Sequence, residues 1–105
     1  MTTEDILEVL IQEGMKAYKK LNRNTPTGRK LSRKEPVEIE GITFSCWREY
    51  AVYKTAEYLK DLMPAVSLTV ELDGNDTVIQ LEVTSDEQRE INRRLYSFLK
   101  KQNLV

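Results

Sequence analysis

Residues 45–63 read SCWREYAVYKTAEYLKDLM, and at about 100° per residue this stretch is a helix with two apolar faces. One face carries Val52, Ala56, Leu59 and Met63, at the spacing of a core-facing helix. The other carries Trp47, Tyr50, Ala51 and Tyr58, with Glu49, Tyr53, Glu57 and Lys60 between the two on one side. A helix apolar on two sides is sandwiched between layers of its own chain, or it buries one side and offers the other to a partner. The fold turns on that choice. Pro64 ends the helix, because proline disfavours helical geometry in the residue before it.

The flanks supply the layers. Residues 4–21 form an amphipathic helix with Ile6, Leu7, Leu10, Ile11, Gly14, Ala17, Tyr18 and Leu21 on one face. Acidic residues fill its first turns and lysines its last, as the helix dipole favours. Residues 22–35 read as a long flexible basic loop, broken by Pro26 and Gly28. Val37, Ile39, Ile42 and Phe44 around Gly41 read as one strand, or as a tight two-strand ribbon with a bulge or turn at Gly41. After the middle helix, Val66, Leu68, Val70 and Leu72 alternate with polar residues, and Ile79, Leu81 and Val83 return the strand. Asp73, Gly74, Asn75 and Asp76 between them are turn chemistry. Ser85 and Gln88 match a capping box opening a last helix whose apolar face holds Ile91, Leu95, Phe98 and Leu99, with 103–105 fraying. The order helix, strand, helix, strand, strand, helix predicts a single α+β domain over 1–105. Three helices are expected to cover one face of a small antiparallel sheet of about three strands.

Composition bounds the function. At 105 residues, 40% apolar and 31% charged, the chain suits one globular domain with a heavily charged surface. A single cysteine, Cys46, excludes an internal disulfide. No apolar run approaches the roughly 18 residues of a membrane span, and the acidic start lacks the basic region of a signal peptide. A cytoplasmic protein with no membrane contact is the expectation.

The net charge of −1 hides segregation. From Gly14 to Lys34 there are eight basic residues and no acidic one: Lys16, Lys19, Lys20, Arg23, Arg29, Lys30, Arg33 and Lys34. The last helix is basic again through Arg89, Arg93, Arg94, Lys100 and Lys101. Clustered cations of this kind neutralise phosphates and release counterions, so the arm over 16–34, with Arg89, Arg93 and Arg94, is the candidate surface for nucleic acid or an acidic protein. The alternative is a solvated face that keeps the chain soluble. Trp47, Tyr50 and Tyr58 suit the interface of a homodimeric adaptor or inhibitor, a stacking platform for single strands, or plain core.

Catalysis is not expected. The chain has no histidine, hence no imidazole base or histidine metal ligand, and Cys46 has no histidine to activate it. Carboxylates alone would have to do the work. Asp73, Asn75 and Asp76 lack the glycine and distal glutamate of a calcium loop at the right offsets, and Gly28-Arg29-Lys30 lacks the preceding glycine of a phosphate loop. No cofactor or metal is expected. Arg29-Lys30-Leu31-Ser32 matches the weak pattern read by basophilic kinases.

Overall fold

The computed structural model describes residues 2–71 and 77–103, an α+β chain of four helices and two separate two-stranded antiparallel sheets. Its elements in order are α1 (Thr3–Asn22), α2 (Pro26–Ser32), β1 (Val37–Ile39), β2 (Ile42–Phe44), α3 (Trp47–Leu62), β3 (Ser67–Glu71), β4 (Val78–Glu82) and α4 (Ser85–Lys101).

Two parts of the expected architecture are overturned. The three-stranded sheet does not form, because β1 pairs only with β2 and β3 only with β4. The reading of a ribbon at Gly41 is the one the backbone adopts: Glu40 and Gly41 both take positive φ, 54° and 79°, the pair of left-handed residues that a tight two-residue hairpin needs. A fourth helix, α2, lies inside the stretch read as a loop. The turn expected at 73–76 and the chain end at 104–105 lie outside the described residues.

Why the long helices form is plain from their ends. Thr2 and Asp5 close a capping box on α1, and Thr84 and Glu87 close one on α4, one residue earlier than Ser85 and Gln88. The cap of α3 is different. Cys46 makes no side-chain cap bond, and instead the buried Glu49 carboxylate accepts from the Ser45 backbone N–H at 2.8 Å and from the Ser45 hydroxyl.

Two clusters hold the elements together, and α3 belongs to both. Val52, Ala56, Leu59 and Met63 pack with Ile6, Leu7, Ile11, Ile79, Ile91, Leu95 and Leu99 in the main core. Trp47 packs with Leu31 and Phe44 in a second, smaller core, edged by Tyr18, Tyr50 and Tyr53. Leu21, assigned to the apolar face of α1, is instead 77% exposed, since that helix has run past the core by its last turn. Arg48 crosslinks the layers. Its guanidinium meets Glu8 of α1 bidentately at 2.8 and 2.9 Å, and its Nε donates to the Thr77 carbonyl at 2.9 Å. The start of α1 is tied to α4 through the Thr3 hydroxyl, bonded to Asn92 and to Gln88.

Candidate functional site

The basic arm is not a loop but two helix ends and a short link. Lys19 and Lys20 lie in the last turn of α1, with Lys16 one turn earlier and Arg23 at the cap. Arg29 and Lys30 lie in the last turn of α2, and Arg33 and Lys34 follow it. Placing cations at two helix C-termini is favourable, because each terminus carries partial negative charge.

Local chemistry explains why α2 forms there. The Thr25 hydroxyl caps the Gly28 N–H at 3.0 Å and donates to the Asn22 carbonyl at 2.9 Å, while Pro26 occupies the first turn, where its missing N–H costs nothing. Gly28 is required: a Cβ there would lie 1.7 Å from the Asn22 carbonyl oxygen. Leu31, 1% exposed, anchors the helix under Trp47 and Phe44. At the far end the Glu35 N–H reaches the Lys30 carbonyl at 2.9 Å and the Lys34 N–H the Leu31 carbonyl at 3.1 Å. This is a Schellman closure with Lys34 at φ 60°, the position glycine usually fills.

All eight arm cations are exposed. Two of them are paired: Lys16 with Glu13 at 3.3 Å, and Arg33 with Glu35 at 3.0 and 3.2 Å. The Arg33 hydrogen bonds hold the Glu35 carboxyl below its ordinary range. Among the described residues, Lys19, Lys20, Arg23, Arg29, Lys30 and Lys34 make no ion pair, although the charge of Lys30 also helps to lower the Glu35 carboxyl. Between α1, α2 and α3 lies a depression of about 240 Å³, bordered by Lys19, Lys34, Ser32, Trp47 and Arg48. The Trp47 indole Nε1–H donates to the Ser32 hydroxyl at its edge, at 2.9 Å.

The arginines of α4 differ. Arg89 pairs with Asp86 at 3.9 Å, while Arg93 and Arg94 both grip Glu90, at 2.7 and 3.0 Å. Those two guanidinium groups lower the Glu90 carboxyl from its ordinary value. The spacing of three and four residues was the signal for this compensation in the sequence. Helix α2 packs on α1 and β1, and among the described residues no hydrogen bond or ion pair joins it to α4.

The aromatic residues part company. Trp47 is 4% exposed and Tyr50 half-buried, edge-on to Tyr18, Phe44 and Trp47 with ring centroids 5.1, 5.4 and 6.3 Å away. Their cover comes from α1, α2 and β2 of the same chain. Tyr58 is 38% exposed, tilted against Phe98 of α4 at 5.3 Å and beside Leu62, 37% exposed. Lys54 sits over the Tyr50 and Tyr53 rings, 5.7 and 6.0 Å from their centroids, and pairs with Glu57 at 3.4 Å.

Sequence reasoning had no role for Arg48 beyond its charge, since its partner Glu8 is 40 residues away and nothing local marks the pair. Among the described residues no group of three or more His, Cys, Asp or Glu side chains could hold a metal ion, and no helix is long and apolar enough to cross a membrane. No protein family, curated protein or solved structure matches this chain.

Proposed function

We propose that this is a non-enzymatic, cytoplasmic binding protein that engages a polyanion through the end of α1 and helix α2, with nucleic-acid phosphates as the first choice of ligand and an acidic protein surface as the second. One observation supports the reading: among the described residues six exposed cations on adjacent helix ends make no ion pair, whereas the basic residues Arg89, Arg93 and Arg94 of α4 are each paired. Uncompensated charge is available to phosphates, while paired charge must first give up a carboxylate. The interaction is positional rather than base-specific, since it rests on charge alone.

The test is a pair of charge reversals read by fluorescence anisotropy with a labelled duplex and a labelled single strand. Arg29→Glu with Lys30→Glu should weaken binding about tenfold or more, each lost phosphate contact removing its share of counterion release. Arg93→Glu should change it far less. Equal effects from the two helices, or no binding by the unaltered chain at low salt, would end the nucleic-acid reading.

A second reading rests on Tyr58 and Leu62, which are exposed side by side with Phe98. They suit a homodimer or adaptor contact, and Trp47, being internal, has no part in it. Sedimentation of the unaltered chain and of Tyr58→Glu separates the cases: a concentrated wild-type chain that is already monomeric removes the homodimer.

A further inference from the structure

We infer that Ser32 is a phosphoacceptor, and that its phosphorylation withdraws the basic surface from polyanions. The inference rests on the proposed polyanion binding for its consequence, but the modification itself can be tested apart from it. Three observations converge on this residue. In sequence it follows Arg29 by three positions and Lys30 by two, the charge pattern that basophilic kinases select against their acidic clefts. In structure it is the exposed last residue of a seven-residue helix, so a kinase has only this short helix to open, releasing the buried Leu31 beside it. Its hydroxyl stands at the depression that Lys19 and Lys34 border, two cations without acidic partners among the described residues.

Ser97 supplies an internal comparison. Arg94 precedes it by three positions and it too is exposed, yet it lies within the 17-residue helix α4, and Arg94 is already bonded to Glu90. An arginine three positions before a serine is thus offered twice, and only the copy at the helix end also has a cation two positions before it.

The step balances simply. The Ser32 Oγ attacks the γ-phosphorus of a nucleoside triphosphate, the bond to the β–γ bridging oxygen breaks, and the nucleoside diphosphate leaves. The hydroxyl proton passes to the base of the kinase. The product carries about −1.5 to −2 of new charge at neutral pH and three strong acceptor oxygens. Lys19 and Lys34 can turn to that group across the depression, so the phosphate takes up charge an external polyanion would otherwise meet. The neighbouring Trp47 is the only tryptophan, and its indole N–H is bonded to the modified oxygen, so its emission reports the event.

The experiment incubates the full chain with magnesium ATP and the catalytic domain of an arginine-directed serine/threonine kinase, followed by mass spectrometry, tryptophan emission and anisotropy with the labelled duplex. The expected result is a single phosphate on Ser32 in preference to Ser97, altered Trp47 emission, and duplex affinity lowered at least about tenfold. Ser32→Ala, checked for folding by circular dichroism, should take no phosphate at the native helix end. Preferential modification of Ser97, or an unmodified Ser32 when the urea-unfolded chain is readily modified there, would overturn the inference. Phosphorylation that leaves duplex affinity unchanged would overturn its regulatory half. If the unmodified chain binds no duplex, the polyanion reading fails, and site choice with Trp47 emission still decides whether Ser32 is the acceptor.

Discussion

Lys34 shows how a single residue divides stability from function. It closes α2 in the left-handed conformation, at φ 60°, where a side chain costs roughly 1–2 kcal/mol that glycine avoids. Glycine also loses more chain entropy on folding, by roughly 0.5–1 kcal/mol, so Lys34→Gly should leave the protein about 0.5–1 kcal/mol more stable. The same change deletes one of the six cations that make no ion pair among the described residues. Urea melts and duplex titration should therefore move in opposite directions, and a variant less stable than the parent would show that Lys34 is held by something other than this cap. Glu8 makes a separate prediction. Hydrogen bonds from Arg48 lower its carboxyl against the smaller opposing effect of burial. Its folded value lies below its unfolded one, so its contribution is whole above about pH 4.3 and is lost as pH falls through the lowered folded value. Glu8→Gln should flatten the loss of stability below that pH in urea midpoints taken as a pH series. Parallel curves for parent and variant would mean the pair with Arg48 contributes little.

Among the elements, α3 carries the argument because its two apolar faces have different fates. Leu59 is 1% exposed in the main core, so Leu59→Ala should cost about 2–5 kcal/mol. Tyr58, one residue earlier and 38% exposed, should cost under about 1 kcal/mol on truncation, since surface changes are usually small. Chemical denaturation of both variants checks the assignment, and comparable losses would place Tyr58 in the core as well. The helices α1, α3 and α4 and the strands β3 and β4 were legible, because each carries a period of 3.6 or 2 over several turns or pairs. Helix α2 was not. Its Thr25-Pro26 start is a capping signal, but Pro26 and Gly28 in one short stretch read equally as breakers. What decides is the Asn22 carbonyl against which only glycine fits, a contact with the end of the preceding helix. The separation of the two ribbons was hidden for a similar reason: β1 and β2 are three residues each, and their cover is the small core of Leu31, Phe44 and Trp47, not a third strand.

At the scale of the whole molecule, the charge pattern of the sequence persists in the fold, but its meaning changes. The arm and α4 read as two similar basic stretches, and their difference lies in local acids. Glu90 sits within reach of Arg93 and Arg94, while from Gly14 to Lys34 there is no carboxylate at all. That part of the candidate site was present in the sequence. The burial of Trp47 was not, since its cover comes from α2 and β2, elements whose packing no local pattern encodes. The central claim, that the six cations making no ion pair among the described residues form a polyanion-binding surface, is tested most directly by the salt dependence of duplex binding. Each phosphate neutralised on a duplex contributes about −0.9 to the slope of log affinity against log salt, so engagement of three to six cations predicts a slope of about −3 to −5. A slope near zero, or no measurable binding at about 50 mM salt, would contradict it.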